Sequence, residues 1–277
     1  MQCADAAVVS SSSSLLAKRL GNEIDAHTCV FRMGHAPTAN YEAYVGNRTT
    51  HRLIGPAMLH MLAGDYRNRK GDTKTSHRIA MCDGCETMSN MNSVIRSKAT
   101  LCRSEQCIFL HKSSFVDHRN KDSKTLTRLE PRILSLSPLF SDKLLRWAHC
   151  DKPPRHGFVG AGLAALIVAR MITHGVVRAY GFECGHECCR DKRPYNYYET
   201  DNGARCCQHV ESNSEGPLYR HLETTHAVSF SHSRFSLCNS PGREKNCPIR
   251  MLQGANSNYW QNPWRFDNSN RTQSPVL

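Results

Sequence analysis

Five short apolar runs stand out from an otherwise polar chain, and each stops abruptly. Ala6-Ala7-Val8-Val9 runs into five consecutive serines, Ser10 to Ser14. Cys29-Val30-Phe31 is closed by Arg32-Met33, and a turn at Ala36-Pro37-Thr38 follows. The third run ends at Leu53-Ile54, the fourth is Ile133-Leu134-Ser135-Leu136, and the fifth is Val176-Val177-Arg178-Ala179-Tyr180. Short β-branched runs bounded by turn residues predict buried strands, here at 6–10, 30–33, 50–54, 132–136 and 176–180. Residues 160–172 are apolar on nearly all sides and predict a buried helix. Residues 142–147 carry apolar positions at helical spacing and predict a short amphipathic helix. Between 55 and 130 the chain is polar and weakly periodic, with helices predicted at 57–62 and 88–98. Strands interleaved with helices imply an α/β domain with a central, mostly parallel sheet flanked by helices.

In such a sheet the loop after a strand is where an anionic ligand sits. The serines at 10–14 suit that place, because their hydroxyls and backbone amides all donate to an anion. Charge points the same way. The 277 residues carry a net charge of +12, with a pI near 9.2, which fits a phosphorylated small molecule, a nucleic acid or an acidic membrane surface. The length suits one domain over residues 1–250, with 55–130 as a variable insert and 251–277 as a tail. The longest apolar stretch, 158–172, is too short to span a bilayer and contains Arg170. No signal peptide is recognisable ahead of the first strand.

Fourteen cysteines add a further question. Cys82-x2-Cys85 and Cys102-x4-Cys107 are two close pairs, which a tetrahedral zinc site uses. Disulfides or free thiols are the alternative, and the four are not expected to ligate one metal together. Asn47-Arg48-Thr49 and Asn270-Arg271-Thr272 are glycosylation sequons. The first is placed inside the predicted sheet and is therefore not expected to be modified.

The order of residues between 6 and 54 says more than their polarity. Ala7-Val8-Val9-Ser10-Ser11, Leu15, Gly21-Asn22-Glu23-Ile24-Asp25-Ala26-His27, Val30-Phe31-Arg32-Met33, Ala36-Pro37-Thr38-Ala39-Asn40, Val45-Gly46 and Thr49-Thr50 occur in one register. Together they resemble the long sialyl motif of the animal-type sialyltransferases, glycosyltransferase family 29. The wording is nearest the β-galactoside α-2,6 branch. Pro153-Pro154-Arg155-His156-Gly157, the helix at 160–172 and the strand ending Tyr180-Gly181-Phe182 resemble the family's short motif. Asn196-Tyr197-Tyr198-Glu199 is similar to its third motif. His209 followed by Glu215 is similar to its very short motif, with one residue more between the two.

The resemblance implies a single Rossmann-like (GT-A-like) domain in the Golgi lumen, normally tethered by an N-terminal anchor, so that against the family this chain reads as a fragment. It implies inverting transfer of sialic acid from CMP-sialic acid to a terminal galactose or GalNAc of a glycan, without a metal cofactor and without nucleic acid. Under it His209 is the general base, since an imidazole titrates near the working pH; His221 and His226 are the alternatives. Tyr197 and Tyr198 would stabilise the leaving phosphate. Ser10, Ser11, Ser12, Ser13, Arg32, Gly34, Arg155, His156, Gly157 and Glu199 would bind substrate. Three departures matter. The asparagine expected after Arg-Met is Gly34. The small hydroxylated pair before the short-motif glycine is Arg155-His156. The expected cysteine pair falls on Ala6 and on Thr173 or His174, while Cys3 has no obvious mate. Gly34, Arg155-His156 and the longer His209–Glu215 spacing motivate a second reading, a catalytically impaired nucleotide- or glycan-binding relative. A third, a zinc-containing nucleic-acid binder, accounts for none of the four motifs.

Overall fold

The computed structural model describes residues 3–34, 36–54, 106–109, 133–135, 160–183, 192–199 and 216–231. They form one sheet of seven strands, β1 (Ala6–Val9), β2 (Cys29–Met33), β3 (His51–Ile54), β4 (Gln106–Phe109), β5 (Ile133–Ser135), β6 (Val177–Tyr180) and β7 (Ser229–Phe230). Every pairing is parallel, in the order β5-β4-β3-β2-β1-β6-β7. The chain therefore starts in the middle of the sheet. It builds outward to β5, then crosses back to place β6 on the other side of β1.

The period of two along each strand sorts the core into two layers. Ala6, Val8, Phe31, Val177 and Ala179 face one side, where helices α3 (Ala161–Ile172) and α4 (Gly216–Thr224) pack. Residues Leu163 to Ala169 of α3 are all buried, so this helix is apolar around its circumference because it lies directly on the central strands. Ala7, Val9 and Val30 face the other side, with the short helices α1 (Gly21–Asp25) and α2 (Glu42–Val45) and the ring of Tyr197.

All five expected strands are present, and the buried helix starts one residue later than expected, capped by Gly160. Two strands were not expected. β4 is a four-residue run in the segment read as an insert, and β7 is a two-residue edge strand. Both are too short for an alternating pattern to be visible. The helices expected at 57–62, 88–98 and 142–147, the insert apart from β4 and the tail lie outside the described residues.

Of three cysteine and sequon expectations, those for Cys3 and Asn47 change, and the state of Cys107 agrees with four cysteines that do not share one metal. Cys3 does have a mate: it is bonded to Cys29 at the start of β2, with a Cα–Cα distance of 5.8 Å. Its backbone bridges Thr173 at the end of α3, so Cys3 faces the helix end even though Thr173 cannot take its sulfur. Cys107 lies buried in β4 and is disulfide-bonded, so its sulfur is not a thiolate available to a metal; Cys82, Cys85 and Cys102 lie outside the described residues. Asn47 is exposed in the turn before β3, not inside the sheet, because helix α2 intervenes and delays the strand to His51.

Candidate active site

Where a parallel sheet reverses its winding, the loops on either side diverge and leave a crevice at the carboxyl ends of the strands. Here that point lies between β1 and β6. The serine loop leaves β1 there, and Gly181-Phe182-Glu183 leave β6 beside it. Ser10 N–H donates to the Tyr180 carbonyl at 2.9 Å, holding the two exits together. The loop then coils into a 3-10 turn over Ser13–Ala17. Ser12 caps it, its hydroxyl accepting from Ser14 N–H at 3.1 Å.

The third-motif segment is strapped onto this loop. Ser12 and Asn196 form an antiparallel bridge, and Tyr197 N–H donates to the Ser11 carbonyl at 2.9 Å. The structure thus brings Ser10, Ser11, Ser12, Ser13, Tyr197 and Tyr198 to one place, although some 180 residues separate them in sequence. Tyr197 itself is buried, stacks edge-on against Tyr41 and Tyr198, and donates its hydroxyl to the Pro37 carbonyl. Burial pushes its phenol well above the ordinary tyrosine range. Tyr198 is half-buried beside it. Glu199 is also buried, and its carboxylate accepts from the Asn196 side-chain amide at 2.6 Å and from Asn196 N–H at 3.2 Å. It closes its own turn.

Arg32 has no exposed surface, and its guanidinium is committed to the backbone below the crevice. Nη2 donates to the carbonyls of Val45 at 2.6 Å and Arg48 at 3.0 Å, and Nε donates to Thr49 Oγ1 at 3.0 Å. A planar fork of fixed donors is what such a set of divergent acceptors requires. The side chain shapes the turn between α2 and β3. Gly34 follows it at φ +55°, a left-handed conformation in which its missing Cβ would meet no described atom within 4 Å. Among the described residues nothing blocks a side chain at the position where the resemblance expects asparagine.

The acidic and histidine positions of the long motif hold the second layer. His27 Nδ1 lies 2.8 Å from Asp5 Oδ2, and its Nε2 lies 3.0 Å from the Tyr180 hydroxyl. That hydroxyl donates to Glu23, which also accepts from Arg178 at 2.8 Å. Asp25 accepts the backbone amides of Asn47 and Arg48 at 2.8 and 2.9 Å.

Two residues at the crevice carried no signal in the sequence. Glu183 bonds the Ser12 hydroxyl through Oε1 and accepts from Arg193 Nη2 at 2.7 Å through Oε2. Arg193 Nη1 also reaches Ser13 Oγ at 3.3 Å. Burial alone would raise the Glu183 carboxyl, but the bonds from Arg193 and Ser12 outweigh it and hold it below the ordinary carboxylate value. An ion pair between segments has no local pattern, so no periodicity or motif marks it.

Arg155, His156, Gly157, His209 and Glu215 lie outside the described residues. His226 follows α4 at φ +55°, just before β7. β7 is parallel to β6, so His226 lies at the amino edge of the sheet, opposite the crevice. His221 lies midway along α4, partly buried, and burial lowers its imidazole below the ordinary value.

The family model for glycosyltransferase family 29 (sialyltransferase) matches residues 1–226. The chain belongs to that family. A human alpha-N-acetyl-neuraminyl-2,3-beta-galactosyl-1,3-N-acetyl-galactosaminide alpha-2,6-sialyltransferase is 26% identical over 245 residues, covering 83% of this chain and 70% of its own. A Bos taurus alpha-N-acetylgalactosaminide alpha-2,6-sialyltransferase 6 is 25% identical over 238 residues, covering 83% and 64%. The Xenopus tropicalis beta-galactoside alpha-2,6-sialyltransferase 2 is 53% identical, over only 53 residues, which is 19% of this chain and 10% of that one. This chain thus spans about two thirds of the first two relatives. A crystal structure of a mammalian sialyltransferase in complex with Gal-beta-1-3GalNAc-ortho-nitrophenol superposes with a TM-score of 0.52 at 18% identity, covering 84% of this chain and 70% of that one. At that identity the likeness speaks for the fold. Among the described residues no helix is long and apolar enough to cross a membrane.

Proposed function

We propose that this family 29 chain transfers sialic acid from CMP-sialic acid to a terminal galactose or GalNAc of a glycan. The observation that supports this most directly is the meeting of the serine loop, the end of β6 and the Asn196-Tyr197-Tyr198-Glu199 segment at the reversal point of the sheet. Three sequence-distant motif segments converge at the kind of strand-end crevice that parallel sheets use for an anionic ligand.

In the proposed reaction the acceptor hydroxyl oxygen attacks the anomeric carbon of the sialic acid. The bond from that carbon to the phosphate oxygen breaks, and CMP leaves from the opposite face, inverting the centre. His209 takes the proton of the attacking hydroxyl. The serine loop, Tyr198 and the cationic pair Arg155 and His156 bear on the leaving phosphate, with Gly157 allowing its close approach. Fixed donors of this kind stabilise a departing monophosphate ester without a divalent ion. The proposed place of work is the Golgi lumen, with a glycoprotein or glycolipid as acceptor.

The test is incubation of the purified protein with CMP-sialic acid and a panel of galactosides, with and without EDTA, read by mass spectrometry. A sialylated product formed equally with chelator supports the reading. CMP binding without transfer or donor hydrolysis replaces it with that of an impaired binding relative.

A further inference from the structure

The seat built by the serine loop is already filled. The Glu183 side chain is 8% exposed, and both its oxygens are bound, one by Ser12 and the other by Arg193. Gly181 is what turns the chain back to put it there. Its φ is +71°, and a Cβ at that position would come within 2.7 Å of Leu15, so only glycine lets the end of β6 fold over the 3-10 turn. Arg193 is anchored independently by Ser13 at 3.3 Å, so its place does not depend on Glu183 alone. Hydroxyls and a guanidinium fork converging on one planar anion are the groups that bind a phosphate or a substrate carboxylate. Among the described residues, Glu183 is the only carboxylate bonded to this loop.

We propose that Glu183 is an internal stand-in for the donor's anionic group: it occupies the seat formed by Ser12, Ser13 and Arg193 in the empty protein and is displaced when the donor binds. This rests on the donor reading above and adds a specificity-determining residue to it. While Glu183 is in place, the Glu183–Arg193 pair is neutral and a second anion meets a carboxylate. Only a ligand able to out-compete that carboxylate opens the seat, so Glu183 lowers affinity for simple anions and selects for a ligand with additional contacts. The apparent affinity for the donor is reduced by the fraction of molecules in which Glu183 holds the seat.

A strut and a stand-in predict opposite signs, which makes the charge cycle decisive. Four proteins are compared: wild type, Glu183→Gln, Arg193→Gln and the double variant. Binding of CMP, free sialic acid, inorganic phosphate and cytidine is measured by calorimetry at low ionic strength. The expected order of anion affinity is Glu183→Gln above wild type, wild type near the double variant, and Arg193→Gln lowest, with steps of roughly tenfold. Cytidine, which is uncharged, should not discriminate among the four. Tightening for CMP alone assigns the seat to the phosphate, and tightening for sialic acid alone assigns it to the carboxylate. If Glu183→Gln binds every anion no better than wild type, the pair is a strut and the proposal is overturned, while CMP binding by wild type leaves the donor reading standing. If Glu183→Gln gains phosphate affinity but no protein binds CMP or sialic acid, the seat stands and the donor reading falls. Should Glu183→Gln fail to fold, the double variant against Arg193→Gln reports the same change of charge; equal anion affinity in those two overturns the proposal.

Discussion

Gly34 and His51 show how far a single side chain is governed by its immediate surroundings. Gly34 holds a left-handed conformation, and no described atom lies within 4 Å of where a Cβ would be. Asparagine is the side chain that enters this conformation most readily after glycine. Gly34→Asn should therefore cost no more than about 1 kcal/mol in chemical denaturation. If the asparagine of the family motif serves the nucleotide, the same substitution should tighten CMP binding in calorimetry; a large loss of stability would show that the turn tolerates no side chain. His51 lies on the opposite layer, 2% exposed and stacked on Phe31 at 4.5 Å. Burial lowers its imidazole from 6.5 to about 4. In the unfolded chain it takes up a proton near the ordinary value; in the folded protein it resists. The unfolded state therefore binds more protons between those limits, and stability falls as pH drops from about 6.5 towards 4, by roughly 3 kcal/mol. Urea titrations across that range should show the loss in wild type and much less of it in His51→Phe. An unchanged slope in the variant would assign the acid sensitivity elsewhere.

At the scale of elements, the part of the fold legible in the sequence is the part whose elements bury one continuous surface. The strand at 6–9 is apolar throughout and the helix at 161–172 is apolar apart from Arg170, because they lie in the middle of the sheet and directly on it. β4 and β7 escaped because four and two residues give no period to read. α1 and α2 escaped for a different reason: they are single turns carrying motif residues such as Glu23 and Asp25, whose carboxylates bind neighbouring segments rather than follow a helical stripe. The cysteines illustrate the limit of motif reasoning. The family pattern directs attention to Ala6 and Thr173, yet Cys3 bridges Thr173 through its backbone and gives its sulfur to Cys29 on the adjacent strand. Threonine at 173 leaves a buried hydroxyl without a hydrogen-bond partner, and the covalent tie moves one strand across. This bond closes a loop with a sequence separation of 26 around β1, the serine loop and α1. Closing a loop of that length in the unfolded chain stabilises the fold by about 3 kcal/mol. Peptide mapping without reduction should recover a Cys3–Cys29 linked pair, and Cys29→Ser should unfold at correspondingly lower urea. A linkage of Cys3 to any other cysteine would refute the assignment.

For the whole molecule, the sheet decides which groups share a reaction site, because all seven strands are parallel and their carboxyl ends lie on one edge. The serine loop and the third motif were legible as sequence, and the fold explains why they act together: each follows or straps the two strands flanking the reversal point. Glu183 and Arg193 were not legible, since only the closed fold puts them side by side. The same edge rule sorts the candidate bases. His226 precedes β7 and so belongs to the amino edge, remote from the serine loop. His209 precedes α4 in sequence and lies outside the described residues, so the edge rule does not reach it. His221 lies on α4 itself, partly buried, and burial lowers its imidazole below the ordinary value. If His209 removes the acceptor proton, His209→Ala should reduce turnover by roughly 10²–10⁴-fold. CMP binding should stay close to wild type, because the base acts on the acceptor and not on the nucleotide. His226→Ala should leave both turnover and CMP binding near wild type, since His226 lies at the sheet edge opposite the serine loop. Loss of CMP binding in His209→Ala would place that residue at the donor instead, and full turnover in it would transfer the role to His221 on α4.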